Sequence, residues 1–252
     1  MKNTLLFLFA LFCLHCTSAI GDTAPKSQDK GPTISVETLL DQAAKATFAQ
    51  ASPEGIHTIV MAGRIELPQG MQAEFQSWSA EGGKFRMEMK VAGMAVTSAC
   101  DGKDCYEDNP MVGPRLLQGT ERSYSLVNAD FKREYHWRQH YKTQTLLGEE
   151  MLSGVSVYKV LLETHDGFQS TNYYDKSSFY LLRSEMVIKG EMGEFPTVSD
   201  FSDFRLVHGL MLPHKITTQA MSHQMNTLVN SVEVNIDIPA GSFELPEQLR
   251  QP

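Results

Sequence analysis

The chain has 252 residues, enough for one large domain or two small ones. Hydrophobic residues make up 42% and charged residues 21%, which excludes a disordered chain and leaves a globular one able to bury a core without metals or disulfides. Against 30 Asp+Glu stand 22 Lys+Arg, a formal net charge of −8 with no concentrated basic stripe, so the composition argues against a nucleic-acid partner.

Lys2 precedes the apolar run Leu5-Leu6-Phe7-Leu8-Phe9-Ala10-Leu11-Phe12-Cys13-Leu14. A bilayer-spanning helix needs ~20 apolar residues, so this run is too short to cross. It has the length of the apolar core of a secretory signal. Small residues follow, and cleavage is expected after Ala19 or Gly21. The resulting organisation is a signal peptide over 1–19, a polar leader over 20–33 containing Pro and Gly, and a single domain over 34–252. With no other long apolar run, the mature chain is expected in the periplasm without a transmembrane segment. A lipid anchor on Cys16 is the weaker alternative, because His15 stands where lipidation wants a small residue.

Cys13 and Cys16 leave with the signal, so Cys100 and Cys105 remain. They flank Asp101-Gly102-Lys103-Asp104, whose Asp-Gly is a tight-turn dipeptide. Two cysteines on facing hairpin strands in an oxidising compartment are expected to form a disulfide. A metal reading of the pair is weaker, since no His or second Cys pair sits nearby in sequence.

In chain order, Val36, Leu39, Leu40, Ala43, Ala44 and Phe48 fall on one face of a helix that Ser35 can cap. Phe85, Met87, Met89 and Val91 alternate with Lys84, Arg86, Glu88 and Lys90, the period of two of a half-buried strand. Met94-Ala95-Val96-Thr97 leads into the cysteine hairpin. A second helix is predicted over 126–142, with Phe131, Tyr135, Trp137 and Tyr141 on one arc and Lys132, Arg133, His136 and His140 on the other. Strands are predicted over 155–162, 171–174, 179–182, 185–188 and 204–207, the last turned by His208-Gly209. A final strand alternates through Leu228, Val232, Val234, Ile236 and Ile238. Short strands with turn signals between them favour one long antiparallel sheet packed against two or three helices.

His136 and His140 stand at i, i+4, a zinc-compatible helical spacing, but Trp137 occupies the place of a zinc protease's catalytic Glu. Beside Lys132 and Arg133 they read as a solvated basic face, and no metal is expected. No Gly-x-Ser-x-Gly elbow, phosphate loop or dinucleotide fingerprint appears, so no cofactor and no catalytic residue is named, and the protein is not expected to be an enzyme. The Met-rich face of 85–94 has two readings. It is an ordinary core filled by pliable thioethers, or a sheet face left open to an apolar ligand.

Asp101-Gly102-Lys103, Tyr106 and Asn109-Pro110, preceded by Lys84-Phe85-Arg86, resemble the periplasmic lipoprotein carrier and receptor superfamily (LolA/LolB-like). The C-terminal third is similar to its outer-membrane lipoprotein-sorting relatives at Tyr174-Asp175, Leu181-Leu182-Arg183, Ser202-Asp203-Phe204, residues 209–216, Val234-Asn235 and Phe243-Glu244-Leu245-Pro246. Ser79-Ala80-Glu81-Gly82-Gly83 stands where the carrier has an Arg-Pro, so the carrier's lid-controlling arginine is missing. The resemblance implies an α+β, mainly antiparallel β fold: a half-barrel sheet of roughly ten strands, closed on its open side by two or three helices. It also implies a cavity that holds acyl chains, which would make Phe85, Met87, Met89, Val91 and Met94 its wall. The expected function is a non-enzymatic periplasmic protein that binds a lipid, an acyl chain or a lipidated protein, with a role in lipoprotein or lipid sorting. The alternative is an envelope scaffold with a filled core that binds a protein partner.

Overall fold

A computed structural model describes residues 34–190, 193–220 and 222–250. The expected signal segment, its cleavage points, the leader over 20–33, Cys13 and Cys16 lie outside the described residues.

Helix α1 (Val36–Thr47) forms where the apolar spacing predicts. The Ser35 hydroxyl accepts from the Thr38 amide at 3.2 Å and satisfies an N–H that has no partner within the helix. Glu37 in the first turn and Lys45 in the last complement the helix dipole. Leu39, Leu40, Ala43 and Ala44 are buried.

Strands β1 (Thr58–Glu66), β2 (Gln72–Ala80), β3 (Lys84–Val91), β4 (Met94–Asp101), β5 (Cys105–Asn109) and β6 (Gly113–Leu116) run outward as a meander. Helix α2 (Gly119–Ala129) and the short α3 (Trp137–His140) follow. Strands β7 (Tyr141–Leu152), β8 (Val155–Thr164), β9 (Gln169–Asp175), β10 (Leu181–Gly190), β11 (Gly193–Val207), β12 (Leu210–Ala220) and β13 (His223–Val234) then meander back. Among the described residues the thirteen strands make one antiparallel sheet ordered β6-β5-β4-β3-β2-β1-β13-β12-β11-β10-β9-β8-β7. The half-barrel expectation holds, with thirteen strands in place of about ten.

This order fixes where the helices go. The chain leaves the sheet at one edge, β6, and re-enters at the other, β7. In a curled sheet the segment over 117–140 must therefore bridge the two edges, and it does so across the concave side. The β1–β13 pairing, with Ile59 opposite Val234 and Ile65 opposite Thr227, joins the two meanders.

The helix predicted over 126–142 is a correction. α2 stops at Ala129, α3 has four residues, and β7 begins at Tyr141. Asp130 is the physical reason: its Oδ1 accepts from the Lys132 amide at 2.9 Å, a local turn that competes with helix continuation. The aromatic and basic arcs of the wheel therefore wind around a turn. Trp137 and Tyr141 reach the core with α1, while the Tyr135 hydroxyl donates to Glu54.

The core has three parts. Leu39, Leu40 and Ala43 of α1 pack on Trp137, Tyr141, Tyr158, Val160, Leu162 and Tyr174. Phe48 and Ile56 pack with Ile59, Ile65, Phe75, Leu210, Val229 and Val232. The third part gathers Leu117 and Ala129 around Cys100 and Cys105, which are bonded with their Cα atoms 4.1 Å apart. In the hairpin between them, Asp101 Oδ1 accepts from the amides of Lys103 and Asp104, both at 2.8 Å.

The predicted His208-Gly209 turn joins β11 to β12, with φ of 51° and 82° at its two residues. Positive φ at both positions is the two-residue hairpin that matches strand twist. Gly209 also carries the segment after α1, its carbonyl accepting from the amides of Gln50 at 2.9 Å and Ala51 at 3.1 Å. A Cβ on Gly209 would lie 2.9 Å from the Ala51 nitrogen.

Candidate ligand-binding cavity

Between the concave sheet face and its helical cover lies a cavity of about 280 Å³. Its floor is built from Ile59 and Met61 of β1, Ser77 and Ser79 of β2, Phe85 of β3, Phe201 and Phe204 of β11, Leu212 and Ile216 of β12, and Val229 of β13. Its roof is Ala43 and Thr47 of α1, Asn128 of α2, and Phe131, Arg133 and Glu134 of the bridging segment. The lining is thus largely apolar, with one cation and one carboxylate overhead. A wider depression of about 630 Å³ on the sheet is lined by Arg64, Glu74, Glu88, Lys90 and Asn230 and offers solvated charge instead of an apolar wall.

The turn before β10 aims aromatics at this space. Asp175 Oδ1 accepts from the amides of Ser177 at 2.6 Å and Ser178 at 2.9 Å, and the chain then places Phe179 at φ 61°. A bulky residue in the left-handed region costs about 1–3 kcal/mol, which the surrounding packing must offset. Phe179 lines the cavity and packs on the core of α1, and Tyr180 stacks on Phe204 with centroids 4.7 Å apart.

Arg133 and Glu134 face each other loosely, Nε to Oε1 at 3.7 Å. The Tyr174 hydroxyl donates to Glu134 Oε2 at 3.5 Å, at the limit of a hydrogen bond. Burial pushes the Glu134 carboxyl above its ordinary range, against the pull of Arg133. Burial first, then the Glu134 charge, pushes the Tyr174 phenol well up.

The five residues singled out in the sequence are placed as follows. Phe85 lines the cavity, opposite Ser79 on one side and Cys100 on the other. Met87, Met89 and Val91 share the face of Phe85 and pack on the cluster of Ile59, Ile65, Ala73 and Phe75. Met94 begins β4 and is 41% exposed. Most of the wall comes from residues that the sequence pattern did not mark. Phe201 and Phe204 both face inward although three apart, because Asp203 between them sits at φ 54° and breaks the alternation. On β2 the inward row passes from Ala73 and Phe75 to the polar Ser77 and Ser79, so the apolar alternation stops halfway along the strand.

Sequence reasoning also placed His136 and His140 on a solvated face. The structure instead brings both, partly buried, to one acceptor: His136 Nδ1 and His140 Nε2 each lie 2.7 Å from Asp130 Oδ2. Burial opposes ionisation of Asp130, but the hydrogen bonds from His140 and His136 outweigh it and hold the carboxyl at about 2.

A curled antiparallel sheet with its open side bridged over an apolar cavity defines the class by its fold: a half-barrel with a helical cover. No protein-family profile matches the chain, and no curated protein matches it. Solved structures do match. A DUF1329 family protein from Desulfovibrio piger superposes with a TM-score of 0.58 at 13% identity, over 83% of this chain and 97% of that one. An outer membrane lipoprotein-sorting protein domain from Vibrio parahaemolyticus gives 0.56 at 14% identity, over 83% and 97%. A LolA superfamily protein from Nitrosomonas europaea gives 0.57 at 16% identity, over 84% and 99%. At these identities the likeness is one of fold.

Proposed function

We propose that this protein is a non-enzymatic periplasmic binding protein that holds a lipid, an acyl chain or the acyl part of a lipidated protein in its half-barrel. Its role would lie in sorting lipids or lipoproteins in the cell envelope. The observation that carries this reading is the cavity under the bridging segment, with Phe85, Met61, Phe201, Leu212 and Ile216 in its floor. Burying methylenes there contributes ~0.8 kcal/mol each before the costs of association. At about 280 Å³ it falls just below the usual size of ligand pockets, about 300–1,000 Å³. As it stands it accepts one acyl segment, and longer chains would have to displace the roof. Met87, Met89 and Val91 extend the same apolar face and would line the enlarged space. The fold shared with the lipoprotein-sorting domain supports the reading. Among the described residues no helix is long and apolar enough to cross a membrane.

Native mass spectrometry of the exported protein, followed by solvent extraction, tests it. The expected result is a co-purifying lipid or uptake of a fluorescent fatty acid. Ile216→Trp, which fills the floor, should weaken that uptake at least tenfold while leaving the unfolding midpoint near wild type. A bare mass with no fatty-acid uptake would overturn the reading and favour the scaffold alternative.

A further inference from the structure

We propose that Asp130, His136 and His140 form a binding site for a divalent transition-metal ion of the zinc class, with three protein ligands and a fourth position open to water. The donor atoms Asp130 Oδ2, His136 Nδ1 and His140 Nε2 all lie within 4.8 Å of one another. Each imidazole nitrogen is 2.7 Å from the carboxylate oxygen. Zinc bonds of ~2.0–2.2 Å at tetrahedral angles set donors about 3.3 Å apart, so each ring must withdraw from the carboxylate oxygen by roughly half an ångström, and the two imidazole nitrogens, within 4.8 Å of each other, must take up the same spacing. Each ring then presents a lone pair where it now donates a proton, and the proton passes through water to the other ring nitrogen.

The scaffold suits this role. Asp130 directly follows α2, and its second oxygen is held by the Lys132 amide at 2.9 Å, which orients Oδ2 toward the rings. His140 ends α3 immediately before β7. The ion would therefore close the bridging loop over 130–140 at both ends. Two imidazoles and one carboxylate match zinc, nickel or copper and are too nitrogen-rich for calcium or magnesium.

The neighbouring cations, which in sequence argue against a metal, are each turned to a carboxylate of their own. Lys132 Nζ lies 2.5 Å from Glu81 Oε1, and Arg133 faces Glu134. The side chains of His136 and His140 are 28% and 21% exposed, which gives the ion a way in and a water position.

Calorimetric titration of chelator-treated exported protein with Zn²⁺ alone tests the site. One saturable site per chain is expected. His136→Asn and His140→Gln, whose amide nitrogens stand in for the Nδ1 and Nε2 that face Asp130, should each weaken it by more than the ~10–100-fold typical of losing a supporting residue. His165→Asn, at an exposed histidine just after β8, should leave it unchanged. If the variants fail to fold, Co²⁺ added to the wild-type protein gives the answer. Intense visible bands of a four- or five-coordinate ion support the site, and the pale spectrum of the hydrated ion overturns it. Absence of saturable Zn²⁺ uptake, or uptake that survives both folded variants, also overturns it.

Discussion

The indole Nε1 of Trp137 donates to Asp41 Oδ1 at 3.1 Å, tying the short α3 of the bridging segment to α1. Arg138 reinforces the tie with a bidentate pair to the same carboxylate at 2.7 and 2.9 Å and lies over the Trp137 ring at 3.9 Å. The two covers of the half-barrel thus meet at one aspartate.

That aspartate should make stability fall in acid. The Arg138 hydrogen bond, with help from Trp137 and against a smaller burial effect, lowers Asp41 below its ordinary 3.8. A folded-state value below the unfolded one means the stabilisation is complete above about pH 4 and is lost as the pH drops through the folded value. Because Asp41 and Arg138 are half exposed, solvent screening limits the effect to about 1 kcal/mol or less. Urea unfolding of wild type and Asp41→Asn should differ at pH 6, and the gap should narrow as the pH falls below about 4. A gap that persists unchanged at pH 3 would exclude the ionic contribution.

Gly209→Ala should destabilise by about 1–3 kcal/mol. The residue sits at φ 82°, and the new methyl would meet the Ala51 nitrogen at 2.9 Å. Thermal denaturation measures the loss. Increased hydrogen exchange at Gln50 and Ala51, whose amides donate to the Gly209 carbonyl, would locate it.

Reducing the Cys100–Cys105 bond should leave the fold standing. The crosslink spans only five positions, and closing so short a loop stabilises by about 2 kcal/mol in the chain-entropy account. Near-UV circular dichroism of a Cys100→Ser, Cys105→Ser double variant should stay native at room temperature, with a lower melting temperature.

Leu162→Ala and Met94→Ala form a paired test of the core. Leu162 is 1% exposed among Leu39, Trp137 and Tyr174, and its truncation should cost about 2–5 kcal/mol. Met94, at the exposed start of β4, should stay within about 0.5 kcal/mol of wild type. Chemical denaturation of both variants, side by side, checks the contrast.

Several elements were legible without coordinates because one physical signal dominated each. α1 has a full apolar stripe and a capping serine. β3 has strict alternation, and the Cys100–Cys105 and His208-Gly209 hairpins carry turn dipeptides. β1 and β2 were not read as strands. Their inward positions include Ser77 and Ser79, and β1 slips register at Ala62 and Gly63, so no clean apolar period survives. The helix over 126–142 failed for the opposite reason. Its periodicity is present, but the Asp130 side chain turns the backbone away from it.

By itself the sequence determined the compartment expectation, the antiparallel class of the fold, the disulfide and the apolar face of β3. Each depends on neighbours within a few residues, where composition and period act directly. Only the tertiary structure decided which residues meet. The β6-to-β7 crossing laid the bridging segment over the concave face. It set Arg133 and Glu134 above a cavity floored by distant strands and drew His136 and His140 onto Asp130. The cavity follows from the closing of the sheet, in which residues more than a hundred positions apart become neighbours, as Ile59 and Val234 do, whereas Asp130 meets His136 and His140, six and ten positions on, because the backbone turns there.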